Sequence, residues 1–129
     1  MSAVVDYLDR EDALTAIEAR LGRPPEIRDH GVLEAALHRP QATWYGQDIY
    51  PDLDTKAAAL LLSLVSSGPL VEGSKRMGWI ATRLFYVLNG RDLRMPEDQA
   101  YDLVMRIAAG EEDDVADVAA TLRRWVDSV

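Results

Sequence analysis

The sequence contains no cysteine and only two histidines, His30 and His38, among its 129 residues. The absence of cysteine excludes disulfides, thiolate metal sites and a cysteine nucleophile, and it is typical of a reducing compartment. Two histidines leave little material for a histidine-ligated metal. The longest apolar run, Ala57 to Leu62, is too short to span a bilayer, and no secretory signal is recognisable. We therefore expect a cytoplasmic protein with no membrane segment.

Positive charge is scarce, since 14 Lys and Arg residues oppose 22 Asp and Glu residues and give a net charge of −8. Nonspecific nucleic-acid binding depends mainly on phosphate neutralisation by Lys and Arg, so we expect no direct nucleic-acid contact. The charge favours a basic partner segment, or a phosphate bound at one local cationic spot. The alternative is that acidity serves only solubility. Without repeats, low-complexity tracts or linkers, residues 1–129 are predicted to form one domain.

The spacing of apolar residues is helical nearly throughout, which predicts an all-α fold of six helices with no strand. Asp9, Asp29 and Asp52 are predicted N-caps of the first three helices, because a short carboxylate can accept from the free amides of a first turn. Gly22 is predicted to end the first helix, and the second is expected to stop before Pro40.

The third and fourth predicted helices are the most apolar part of the chain. The third, from Leu53 to Ser66, has almost no polar face, so it is predicted to be buried on all sides. The fourth, from Lys75 to Asn89, is predicted to pack antiparallel against it. Its predicted inner stripe comprises Met77, Ile80, Ala81, Leu84 and Leu88, widened by Trp79, Phe85 and Val87.

The last two predicted helices are separated by an acidic run at residues 111–114. Pro96 is expected at the first position of the fifth helix, and Gly110 is expected to end it. The acidic run is interpreted as a cap plus a solvated face rather than a metal site. Arg123 and Arg124 are predicted to complement the negative end of the sixth helix. Its predicted inner residues are Val115, Val118, Ala119, Leu122 and Val126.

The segment from Gln41 to Pro51 has aromatic and polar residues but no helical period. We interpret it as a loop or a short extended flap, with Trp44, Tyr45 and Gly46 at its centre. The alternative is that Trp44 and Tyr45 pack into the core.

The segment from Gly68 to Arg76 is the candidate functional site. A glycine, Gly73, leads into a helix that opens with Ser74, Lys75 and Arg76. The first amides of a helix have no internal acceptor, and the helix dipole favours negative charge there. Together with a hydroxyl and two cations, this predicts a phosphate site. The alternative is an ordinary helix start, since basic residues begin many helices.

This segment resembles the His-Pro-Phe-x-Asp/Glu-Gly-Asn-Lys-Arg signature of the Fic/Doc (Fido) family, which joins two central helices. Similarity to the death-on-curing (Doc) branch of that family extends over residues 27–37, 39–41, 50–52, 56–60 and 88–90. The resemblance implies a six-helix Fido fold with a central antiparallel helix pair. The signature positions that match are Pro69, Glu72, Gly73, Lys75 and Arg76, and those that differ are Gly68 for His, Leu70 for Phe and Ser74 for Asn.

The resemblance also implies a chemistry. In the family the signature His is the general base, the acid at the Glu72 position holds Mg on the phosphates, and the residues at positions 73–76 grip ATP or another nucleotide. Gly68 has no side chain that could accept a proton, and a general base contributes roughly 10²–10⁴ in rate. We therefore expect little or no transfer activity and assign no catalytic residue. His30 and His38, at the two ends of the second helix, are not predicted to replace the base.

The resemblance finally implies partners. Doc-branch proteins are toxins inhibited by a small antitoxin, and they transfer phosphate from ATP to a translation elongation factor, whereas the Fic branch transfers AMP. In the family, the flap aligns a target segment. Three hypotheses follow: a toxin component with a crippled kinase site, an active phosphoryl- or AMP-transferase with an unrecognised base, and a non-catalytic interaction module.

Overall fold

The computed structural model describes residues 4–128, so residues 1–3 and 129 of the predicted domain lie outside the described part. The six predicted helices are present, which confirms the all-α fold class. Among the described residues, no helix is long and apolar enough to cross a membrane. The elements are α1 (Arg10–Leu21), α2 (His30–His38), β1 (Thr43–Trp44), β2 (Gln47–Asp48), α3 (Leu53–Ser67), α4 (Ser74–Leu88), β3 (Arg91–Leu93), α5 (Glu97–Ala108), α6 (Val115–Arg123) and β4 (Val126–Ser128).

Aspartate side chains begin four of the six helices. Asp9, Asp29 and Asp52 accept the amides of Asp12, Val32 and Thr55 at 2.8, 3.0 and 2.8 Å, as predicted. Asp114, the last residue of the acidic run, caps α6 in the same way through the amide of Ala116. Gly22 ends α1 with φ 75°, also as predicted. Pro96 is the N-cap of α5, one residue before its predicted position.

Helix α3 lies at the centre of the core, as predicted, with residues 56–62, 64 and 65 all buried. It packs chiefly against α4 and α6. The closest approach is at Gly78 of α4, where an added Cβ would lie 2.7 Å from Cγ2 of Val65. Thr82, one turn later, donates its hydroxyl to the Gly78 carbonyl at 2.7 Å, so its polar atom is satisfied inside the core.

The inner face of α4 differs from the predicted stripe. Val87 and Leu88 are 58% and 39% exposed, so their assignment to the core was wrong. The face of α4 that packs against α3 includes Gly78 and Thr82, whose small side chains allow a close approach. Because neither is a large apolar residue, the apolar spacing does not indicate this face. The buried residues of α4 are Met77, Gly78, Ala81, Thr82, Phe85 and Tyr86.

The last turn of α6 carries the positive charge of Arg123, as predicted. Its guanidinium also lies 3.1 Å from the carboxylate of Asp54 and 3.6 Å from that of Asp52, so it joins α6 to the start of α3. Tyr86 of α4 donates its hydroxyl to Asp54 at 2.7 Å. Burial of the phenol is the main cause that raises the pKa of Tyr86 well above its ordinary value, and this hydrogen bond is the second. These contacts link three helices at one point.

Four short strands contradict the expectation that the chain has none. Strands β1 and β2 form one antiparallel pair, and β3 pairs with β4. Val126, predicted to continue the sixth helix, lies in β4 opposite Leu93. The helix ends before Val126 because the chain there pairs with β3: the Trp125 carbonyl accepts the amide of Arg94 at 2.8 Å. Strands of two or three residues are too short to show an alternating pattern.

Candidate functional site: the motif loop and the flap

The motif loop, residues 68–73, connects α3 to α4. Gly68 ends α3 in the left-handed conformation, with φ 57° and ψ 58°. Gly73 begins α4 with φ 92°. Left-handed backbone favours glycine, and the two residues therefore set where each helix stops and starts. An added Cβ at Gly68 would meet no atom within 4 Å, so the space beside it is open.

The motif loop is bound along its backbone by the segment that precedes α2. Ile27 forms an antiparallel bridge with Leu70, and the amide of Val71 donates to the carbonyl of Glu26 at 2.9 Å. The amides of the two residues after Ile27 both donate to the carbonyl of Pro69. The loop thus has a defined conformation that does not depend on a ligand.

The side chain of Arg28 completes this attachment. Its Nε donates to the Gly68 carbonyl at 2.8 Å, and its Nη2 donates to the Ser67 carbonyl at 2.9 Å. The last carbonyls of a helix have no internal partner, so Arg28 satisfies two of them at the end of α3. Sequence analysis missed this role, since nothing in the local pattern shows that the guanidinium reaches a carbonyl some 40 residues away.

The first turn of α4 leaves several donors free. Gly73 supplies no side-chain cap, and the first helical bond joins the amide of Met77 to the Gly73 carbonyl at 2.8 Å. Within the described part of the chain, the amides of Ser74, Lys75 and Arg76 have no hydrogen-bond acceptor. The side chains of Lys75 and Arg76 are exposed and form no ion pair there. This end of α4 is consequently positive and open to solvent.

The hydroxyl of Ser74 points back into the motif loop. It accepts the amide of Leu70 at 3.0 Å and lies 3.4 Å from the Leu70 carbonyl. The hydroxyl therefore stabilises the loop, while the backbone amide of Ser74 stays free.

Glu72, the candidate metal carboxylate, lies on the outer side of the loop. Its side chain is 74% exposed and forms an ion pair with Arg23, which follows α1, at 2.5 Å. Residues 4–128 contain no cluster of three potential metal ligands. A magnesium ion at Glu72 would need most of its ligands from phosphate and water, which is a common arrangement for Mg²⁺, and it would compete with Arg23. Glu72 is the one carboxylate of the motif loop that could contribute to such a group.

The segment before α3 forms a β-hairpin, hereafter the flap (residues 42–49), which confirms the predicted extended flap. Tyr45 and Gly46 at its tip have φ values of 50° and 76°, as in the two-residue turns that suit hairpins. Trp44 and Tyr45 are 68% and 89% exposed, so the alternative that they pack into the core is wrong. Their rings meet edge to face with centroids 4.9 Å apart.

Residues 7–86 match the Fic/DOC family, a range that covers the flap, the motif loop and most of α4. The chain belongs to the Fic/DOC family. It is also similar to a protein named Toxin Doc from Mycolicibacterium smegmatis (strain ATCC 700084 / mc(2)155), with 46% identity over 121 residues, which cover 92% of each chain.

The Fic/DOC frame separates the residues that sequence analysis had singled out into two places. Glu72, Gly73, Ser74, Lys75 and Arg76 lie together on the motif loop and the first turn of α4, whereas Trp44, Tyr45 and Gly46 lie on the flap. The two histidines belong to neither place. His30 is 2.6 Å from a guanidinium nitrogen of Arg10, and His38 is exposed at the end of α2.

Proposed function

We propose that this chain is the toxin component of a toxin–antitoxin module and is bound by a small antitoxin. Support comes from the similarity to a protein named Toxin Doc, which extends over 92% of both chains. The net charge of −8 favours a basic partner. Trp44 and Tyr45 on the flap offer exposed aromatic area of the kind that anchors protein interfaces.

We further propose that the start of α4 binds the phosphates of ATP or another nucleotide. The observation that carries this proposal is the set of free amides at Ser74, Lys75 and Arg76, next to two cations without acidic partners among the described residues. Gly73 lets the phosphate approach the backbone closely, Ser74 contributes its amide, and Lys75 and Arg76 contribute charge. The nucleotide, when bound, supplies the phosphoryl or AMP group.

Glu72 is the proposed carboxylate for the magnesium that accompanies the nucleotide. Because it is paired with Arg23, its proposed role requires that this exposed ion pair open. Exposed pairs contribute little, so opening is inexpensive.

We propose that transfer to a target hydroxyl, such as one on a translation elongation factor, is absent or greatly weakened. Gly68 has no proton acceptor at the family's general-base position, and its carbonyl is held by Arg28. A missing general base alone lowers the rate by roughly 10²–10⁴. The proposed phosphate site and the flap do not depend on a general base, so nucleotide and partner binding are retained in this proposal although transfer is lost.

A second candidate function is a non-catalytic interaction module. The exposed pair of Trp44 and Tyr45 favours it, since this surface needs no nucleotide. Nucleotide binding distinguishes the two functions.

Calorimetry with ATP and magnesium tests the nucleotide proposal. We expect binding at millimolar concentrations or below, weakened about fivefold or more in Arg76→Ala through loss of one charge-assisted contact. Arg83→Ala is the matched control, because Arg83 is exposed on the same helix two turns away from the motif loop. No binding, or an unchanged affinity in Arg76→Ala, would discard the nucleotide site and leave the interaction module.

Co-purification from the native cell tests the antitoxin proposal. We expect a small protein with a basic segment to accompany the chain, and a native mass above that of the free chain. Recovery of the chain alone, or only self-associated, contradicts it.

A further inference from the structure

Lys56 is the one charged side chain that is buried in the described part of the chain, with 2% of its surface exposed. It lies in the first turns of α3, whose positive end disfavours a cation. A buried charge is also unfavourable unless it is paired and hydrogen-bonded. Neither the helix end nor the apolar core stabilises a buried lysine at this position, so its stabilisation must come from the contacts of its ammonium.

The ammonium of Lys56 has three oxygen acceptors, and all of them belong to the flap or its two ends. Nζ lies 2.6 Å from the Tyr50 carbonyl, 3.1 Å from the Asp48 carboxylate and 3.5 Å from the Pro40 carbonyl. Three donors therefore have three acceptors, which satisfies the group. The fourth side of the ammonium faces the ring of Tyr7, with 5.7 Å to its centroid.

The flap has little else to hold it in place. Each of its strands has two residues, and all four are exposed. The amide of Ile49 adds one more bond, to the Ala42 carbonyl at 3.0 Å. An isolated two-stranded hairpin is marginally stable in water. Contacts with the rest of the chain must therefore fix its orientation. Among the described residues, Asp48 is the flap side chain that forms a hydrogen bond outside the flap.

A second contact supports the same end of the flap. Arg39 donates through Nε to the Tyr50 hydroxyl and through Nη1 to Ser63 of α3, both at 2.9 Å. Tyr50 is thus held at its carbonyl by Lys56 and at its hydroxyl by Arg39. The Arg39 contact fixes only the end of the flap, whereas Lys56 also reaches β2.

We infer that Lys56 is a positioning residue for the flap: its ammonium, through Asp48 and the two flap ends, fixes the direction in which Trp44 and Tyr45 are presented. The partner role of those aromatics rests on the proposed function, but the orientation of the flap does not. Replacing the ammonium should therefore loosen the flap selectively, rather than the whole fold uniformly.

Hydrogen exchange on the full chain tests this inference, with the amide of Ile49 reporting on the flap and amides of α3 and α4 reporting on the core. Lys56→Met keeps the apolar stem and removes the charge. We expect exchange at Ile49 to accelerate by ~10-fold or more relative to core amides, since local opening no longer breaks the ammonium contacts. Asp48→Asn should give a smaller acceleration with a modest fall in melting temperature, because two carbonyl acceptors remain but the buried ammonium loses its paired charge.

Asp113→Asn is the matched control, since Asp113 is an exposed aspartate in the loop before α6. If Lys56→Met does not fold, Asp48→Asn alone decides the question. A uniform acceleration of all amides would show a purely structural role and overturn the inference. Exchange at Ile49 within about twofold of the unmodified chain in the folded variants would also overturn it. Both results would leave the nucleotide and antitoxin proposals standing, because those are tested separately.

Discussion

Nε of Arg28 lies 2.8 Å from the carbonyl oxygen of Gly68. Position 68, which we propose corresponds to the histidine of the Fic/DOC signature, is therefore held by a contact of the Arg28 side chain with its backbone carbonyl. An added Cβ at Gly68 would meet no atom within 4 Å, although the left-handed φ of 57° strains any side chain there. Under the proposed function, position 68 is where a general base would stand, and Gly68 has no side chain to supply one.

Gly68→His combined with Ser74→Asn should restore activity. The histidine in a left-handed conformation costs on the order of 1 kcal/mol, less than the roughly 3–5 kcal/mol of barrier that a positioned base removes. Asparagine at position 74 can still accept the backbone amide of Leu70 with its side-chain carbonyl oxygen. We expect phosphoryl or AMP transfer, or growth inhibition on expression, from the double variant and neither from the unmodified chain.

Gly22→His is the control for this restoration. Gly22 also has a positive φ, 75°, and open space beside it, but it lies at the end of α1. It should show the same backbone cost without activity. A folded double variant that transfers nothing argues for the interaction module. Transfer by the unmodified chain that Lys75→Ala abolishes would refute the crippled-site proposal.

Arg28→Ala should destabilise the motif loop. The variant loses two hydrogen bonds to the end of α3, which we expect to cost about 1 kcal/mol given the exposure of Arg28. For a chain of this size the melting temperature should fall by roughly 3–5 °C. Phosphate affinity should fall as well, because the loop is less fixed. Arg20→Ala, at an exposed arginine in the last turn of α1, should leave phosphate affinity unchanged and lower the melting temperature less, because it loses only a helix-dipole interaction. Equal effects in the two variants would contradict the role of Arg28.

Gly78→Ala should destabilise the fold, although alanine normally favours helices. Its Cβ would lie 2.7 Å from Cγ2 of Val65, a stiff β-branched side chain, and overpacking of this kind costs about 1–3 kcal/mol against a propensity gain of about 1 kcal/mol. In a Val65→Ala background the sign should reverse, because the clash is gone. Urea unfolding of the double-mutant cycle measures this. Gly31→Ala is the control and should stabilise slightly, because Gly31 is exposed in α2 and an added Cβ there comes no closer than 3.4 Å to its nearest neighbour.

Stability should decline above pH 10 in a way that depends on Tyr86. Burial and the hydrogen bond to Asp54 raise the pKa of Tyr86 above its ordinary value of 10.0. Above that pH the unfolded chain releases the phenol proton while the folded chain keeps it. The contribution of Tyr86 is thus complete below pH 10 and falls by up to about 1.4 kcal/mol per pH unit above it.

Urea unfolding at roughly pH 9 to pH 11, the range in which an ordinary tyrosine titrates, measures this decline. We expect a shallower slope in Tyr86→Phe. Tyr101→Phe is the control, since Tyr101 is 66% exposed on α5, and its slope should match that of the unmodified chain. Parallel slopes in all three proteins would contradict the prediction.

Helix starts and the buried α3 were predictable because each rests on local chemistry. Asp9, Asp29 and Asp52 accept amides three residues away, and the apolar run of α3 has no polar face to turn outward. The motif loop was found because its residues are contiguous in sequence.

Features that depend on distant parts of the chain were not predictable. Val126 belongs to a strand only because Leu93 lies opposite, and Arg123 finds its carboxylates 69 residues earlier, at Asp54. The inner face of α4 was misplaced because Gly78 is too small to register as core. Lys56 did leave a signal, as the one charge within the apolar part of α3, but its partners lie on a flap that the sequence shows only as irregular.

The backbone bridge between Ile27 and Leu70 has a consequence for how the protein opens. The motif loop and the segment before α2 share backbone hydrogen bonds, and local unfolding of either one breaks them. The two should therefore open together as one cooperative unit. Amides on both sides of the bridge, those of Arg28 and Val71, would then share a single opening equilibrium. A ligand that stabilises the motif loop would therefore also slow hydrogen exchange in the segment between α1 and α2, although it does not contact that segment.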